Sequence, residues 1–184
     1  MLVDIGVETY TGKTFSDRRY EIWTMQSSYH NIPAIKGCDE LPGAAYCARD
    51  VKYSFGGDCS EISMDIAGAY PEEVSGGRYM RSVKLDKGND TVTITDGSDF
   101  DDVCLNFITY EKPDTASIQM PAAASGQMPA VSLHLGEAEM TLTGGTCEAV
   151  EVLPITDERL KTAWDHDLYR VKIKTSGSCE ISIR

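Results

Sequence analysis

The 184 residues can build one substantial hydrophobic core and fall short of two full-sized ones, so a single domain over 1–184 is expected. Apolar residues at 41% and charged residues at 25% exclude wholesale disorder. With 17 Lys and Arg against 29 Asp and Glu, the net charge of -12 repels nucleic acid and anionic membrane surfaces, and no run approaches the ~20 apolar residues that cross a bilayer.

In chain order, a loop around Tyr10–Ser16 leads to a strand-like stretch, Arg18–Thr24, which runs through Tyr29 to His30-Asn31-Ile32-Pro33. Period-two alternation then dominates and places successive side chains on opposite faces of strands. Ile62, Met64 and Ile66 alternate with polar neighbours, as do Val83 with Leu85 and Val92 with Ile94. Between the strands lie the turn signals Gly56-Gly57-Asp58, Gly76-Gly77, Lys87-Gly88-Asn89-Asp90 and Asp96-Gly97. Short helical turns are expected at Ala67–Val74 and, capped by Asp157, at 157–164.

The segment from Pro113 to Pro129 reads as an irregular connection within the domain. After it come Val131, Leu133 and Leu135, a Gly144-Gly145 turn signal, the alternation of Tyr169, Val171 and Ile173, a Ser176-Gly177-Ser178 turn signal, and Ile181 with Ile183. The fold class that results is all-β: an antiparallel, two-layered β-sandwich of about a dozen strands with very little helix.

Six cysteines include no C-x-x-C pair, which removes zinc-ribbon and thioredoxin-type readings and leaves mostly reduced, structural thiols that slightly favour a cytoplasmic setting. Of the three histidines, His134 lies between two inward leucines and points outward, and His166 sits between two acids on a turn. His30 follows a tyrosine-rich stretch and precedes Asn31. No HExxH, Cys/His or Ser-His-Asp arrangement accompanies any of them, so residue chemistry alone leaves the function open.

The runs Val3-Asp4-Ile5-Gly6, Tyr10–Ser16, Arg18–Trp23 and Tyr29-His30-Asn31-Ile32-Pro33-Ala34-Ile35-Lys36-Gly37 resemble, in order and spacing, the C-terminal β-sandwich region of heparinase II/III polysaccharide lyases. Later stretches, among them Asp65–Pro71, Tyr79–Val83, Val92–Asp96 and Trp164–Ile173, are similar to that family's sheet strands. Asp39-Glu40 stands near the place where the family often carries a Gln.

The resemblance implies β-elimination on a uronate-containing, acidic polysaccharide. Most catalytic groups would come from an α/α toroid domain upstream, so this chain is expected to be inactive alone. It also implies zinc held by an aspartate, the histidine of His-Asn and an earlier histidine. Asp4 and His30 match the first two, and no histidine precedes His30, so weak or partial zinc binding is expected. Arg18, Arg19, Tyr29 and Asn31 are the polar groups expected to contact a sugar acid on one wall of the cleft. An exposed sheet edge is expected to be open to pairing with a second copy. Two other readings stand beside this one: a non-catalytic carbohydrate-binding sandwich and a purely structural module.

Overall fold

The computed structural model describes residues 1–114 and 130–184. Most of the connection expected at Pro113–Pro129 lies outside the described residues. The protein is all-β and antiparallel. Among the described residues nine strands form one hydrogen-bonded sheet: β1 Pro33–Ile35, β2 Arg49–Gly56, β3 Cys59–Asp65, β4 Tyr79–Asp86, β5 Thr91–Ser98, β6 Val103–Thr109, β7 Ala130–Leu135, β8 Ala138–Leu153 and β9 Leu168–Ile183. The order is β1-β6-β9-β5-β4-β3-β2, with β8 along the other edge of β9 and β7 outside β8. Among the described residues helix is limited to α1, Glu72–Ser75, and isolated 3-10 turns, none long enough or apolar enough to cross a membrane.

Among the described residues the count is nine rather than about a dozen, and three glycine signals read as turns lie inside strands. Gly97 is within β5, Gly144-Gly145 within β8 and Gly177 within β9. Both 16-residue strands bend at a left-handed glycine instead of ending there, Gly144 at φ 84 and Gly177 at φ 83. Strand β9 therefore serves as the spine. Its first half pairs with β6, its second half with β5, and both halves pair with β8.

Alternation sorts the apolar side chains into two clusters. Leu105 and Phe107 of β6 and Val171 and Ile173 of β9 enter the larger core with Ile35, Tyr70, Tyr79, Leu133 and Leu142. On the other side of the same strands, Ile108 and Leu168 join Ile5, Leu153, Ile155 and Leu160, closed by Trp23, Tyr29 and Trp164. This second cluster explains why β6 is buried along nearly its whole length. Burying a side chain such as Ile5 is worth roughly 1.5–3 kcal/mol, which pins the N-terminal segment to the domain.

The edge of β6 is completed in three pieces. Strand β1 covers Val103–Leu105, and Leu2 bridges to Thr109. Between them Asn31 acts with its side chain: its amide nitrogen donates to the Val3 carbonyl at 2.9 Å, and its amide oxygen accepts the Ile108 N–H at 2.8 Å. At the far end of the sheet β2 pairs only with β3, leaving one edge open among the described residues and exposing Tyr53 and Phe55. The six cysteines are free thiols, and burial pushes the Cys179 thiol up to about 12.

Candidate functional site

The stretch expected as a strand at Arg18–Thr24 is instead a staircase of 3-10 turns: Arg19–Glu21, Trp23–Met25 and Ser27–Tyr29. Each turn closes with an i→i+3 bond, from Ile22 to Arg19, from Gln26 to Trp23 and from His30 to Ser27. Aromatic anchors hold the staircase against the smaller core. The Trp23 indole donates to Glu8 at 2.9 Å, and Tyr29 packs edge-on against Trp23 and under the Arg170 guanidinium. Arg170 also donates to the Ser28 carbonyl, joining the staircase to β9.

At the end of the staircase the aspartate and histidine matched by resemblance meet. His30 Nδ1 lies 2.8 Å from Asp4 Oδ2, across twenty-six residues of sequence. Both come from irregular segments rather than from strands. Local alternation directs Asp4: Ile5 points into the smaller core, so the side chain before it points out. Partial burial works to raise the Asp4 carboxyl. The His30 hydrogen bond, the Gly6 N–H and the His30 charge outweigh it, leaving Asp4 below the ordinary carboxylate value. The other ring nitrogen, Nε2, lies 3.2 Å from the Thr24 carbonyl, so both nitrogens face acceptors.

Zinc would find two donors here, whereas a zinc centre takes at least three protein ligands. Among the described residues no group of three or more His, Cys, Asp or Glu is arranged to hold a metal.

His30 also forms part of the wall of a cleft of ≈ 590 Å³ between the 3-10 staircase and the segment 39–42. Tyr20, Gln26, Ser27, Glu40 and Leu41 line it as well. The Glu40 N–H donates to Ser27 Oγ at 3.1 Å, fixing the two walls relative to each other. Burial and the neighbouring Asp39 charge push the Glu40 carboxyl above its ordinary value, against the opposing pull of Arg81 and His30.

The four residues expected to contact sugar are placed differently from one another. Arg18 forks onto Glu21 at the exposed surface, and Arg19 lies near the Tyr20 ring at 6.0 Å. Tyr29 packs on the smaller core, and Asn31 is committed to the backbone of Val3 and Ile108. Of the other histidines, His134 is exposed between buried Leu133 and Leu135, as its alternation indicated, and the His166 ring lies tilted against Tyr110.

Linked to the cleft through Asn31 is a pair that the sequence reading did not single out. Arg81 and Asp96 are register partners on β4 and β5, 8% and 2% exposed, joined by two 2.7 Å hydrogen bonds. Tyr79 donates a third bond to Asp96 at 2.9 Å, and Arg81 donates to the Asn31 carbonyl at 3.1 Å. Burial opposes the Arg81 charge, and the Asp96 contacts outweigh it, so the guanidinium stays charged. The available signal was phase: Arg81 stands in the inward register of Tyr79 and Val83, and Asp96 in that of Ile94. No family model matches the chain, and no curated protein matches it.

Proposed function

We propose that this chain is the C-terminal β domain of a heparinase II/III-like polysaccharide lyase and forms one wall of its substrate cleft. The observation that carries the reading is the contact of Asp4 with His30 beside that cleft, between two residues that the resemblance pairs as neighbours. In the reaction the resemblance implies, a base removes the proton α to a uronate carboxylate, the bond to the 4-linked sugar breaks, and an acid protonates the leaving oxygen. The groups for those steps belong to an upstream α/α toroid. This domain contributes a surface for the polymer, and zinc joins the site only with a third ligand from beyond the described residues.

A second reading, a carbohydrate-binding module without catalysis, draws support from His30: with acceptors at both ring nitrogens, it has no nitrogen free to relay a proton. One experiment tests both. The chain is run through gels containing chondroitin sulfate, heparin or alginate, and the same mixtures are followed for the absorbance of an unsaturated uronate. Retention by a polysaccharide, reduced in His30→Gln, with no unsaturated product from the chain alone, is expected. Turnover by the chain alone contradicts the incomplete active site, and migration indifferent to every polysaccharide removes the carbohydrate reading. Adding the parent protein's helical domain separates lyase from binding module, since only the lyase then forms product.

A further inference from the structure

We infer that the cleft between the 3-10 staircase and residues 39–42 takes an uncharged pyranose, the neighbour of the uronate in the polymer, with its ring against Tyr20 and Leu41 and its hydroxyls donated to Asp39 and Glu40. The inference rests on the polysaccharide reading above and names which sugar this cleft holds.

Its volume of ≈ 590 Å³ is in the range of small-molecule sites. The lining is amphipathic in the way a pyranose is: apolar surface from Tyr20, Met25, Leu41 and Pro42, with polar atoms at the rim and floor. Those polar atoms are mainly acceptors. No hydrogen bond or ion pair within the described residues reaches the Glu40 carboxyl, although burial has removed part of its hydration. Asp39 beside it is likewise without a cation. Carboxylates with no protein partner remain open to a ligand's donors, and hydroxyl groups supply donors without adding charge.

A uronate carboxylate finds the opposite. Two of the nearby cations are committed, Arg81 to Asp96 and the Asn31 carbonyl and Arg18 to Glu21, the His30 ring nitrogens face Asp4 and the Thr24 carbonyl, and Arg19 lies exposed at the outer side of Tyr20 with its guanidinium on Met25 Sδ. The Gln26 amide nitrogen already donates to the Tyr20 carbonyl at 3.0 Å. A third carboxylate beside Asp39 and Glu40 would meet two like charges, with only the solvent-screened Arg19 to offset them.

The test is calorimetric titration of the chain with three oligosaccharides of equal length: N-acetylated chitin fragments, which are uncharged; alginate fragments, which are all uronate; and unsulfated chondroitin, which alternates the two. Chitin and chondroitin fragments are expected to bind and alginate fragments not to. Tyr20→Ala and Glu40→Gln, checked for folding by circular dichroism, each weaken binding by about tenfold. Alginate binding as tight as the others, or chondroitin binding untouched by both substitutions, overturns the assignment of the cleft and leaves the polysaccharide reading standing. No heat with any of the three overturns both.

Discussion

Arg81 and Asp96 face each other directly across β4 and β5, and the same guanidinium reaches past Asp96 to the carbonyl of Asn31, the residue that follows His30. A buried charge pair in the sheet is thus tied to the backbone between His30 and Ile32, two residues that line the candidate cleft.

Removing one member of that pair leaves the other charged and unpartnered. Asp96→Ala is expected to destabilise the protein by ~3–5 kcal/mol, measured by urea unfolding. The double variant Arg81→Met/Asp96→Leu should lose much less, because two apolar side chains fit an otherwise apolar face. Sugar binding should remain impaired in the double variant, since nothing then holds the Asn31 carbonyl.

Asn31 offers a separate test of structural against ligand-contacting roles. Asn31→Ala strips partners from the Ile108 N–H and the Val3 carbonyl, and the expected loss is about 2 kcal/mol. Hydrogen exchange at Ile108 should quicken without any ligand present. Unchanged stability and exchange would leave a ligand contact as the better account of this residue.

Acid sensitivity should trace to Asp65. Burial works to raise this carboxyl, but the N–H groups of Tyr79 and Ala67, together with Arg49, hold it below its ordinary value. A folded-state pKa below the unfolded value of about 3.9 gives stability that is full above that pH and drains away as pH falls through the folded value. Asp65→Asn should therefore be less stable at neutral pH by ~1–3 kcal/mol, and the gap should close as unfolding is repeated toward about pH 2. A gap that stays constant across the titration would sink this attribution.

The two bending glycines should differ. A Cβ at Gly144 would come within 2.4 Å of the Ser178 carbonyl oxygen, whereas nothing lies within 4 Å of one at Gly177. Both need a left-handed backbone, so Gly177→Ala is expected to cost ~1–2 kcal/mol from conformation alone. Gly144→Ala should exceed that figure in the same thermal-unfolding measurement, because clash adds to strain.

The half-buried strands are readable where one face meets the core: Val131, Leu133 and Leu135, and Val171 with Ile173, lie where their alternation puts them, whereas Leu85, in phase with Val83, stays exposed near the end of β4. The long strands are not readable, because Gly144-Gly145 and Ser176-Gly177-Ser178 look the same in sequence whether a chain reverses or merely bends. The 3-10 staircase was misread as a strand since its order comes from tertiary anchors, Trp23 on Glu8 and Tyr29 on Arg170, which no local pattern records. Asp4 and His30 came from the resemblance rather than from local chemistry. The cleft acids were visible as Asp39-Glu40, but their lack of partners is a property of the folded neighbourhood.

Strand β9 follows every other strand in the chain and yet touches β5, β6 and β8 together. During synthesis the earlier hairpins must therefore wait, with Leu105, Phe107 and Leu142 uncovered, until the ribosome has delivered the segment that unites them. The commitment to folding therefore falls at the arrival of β9, the strand that joins the earlier hairpins.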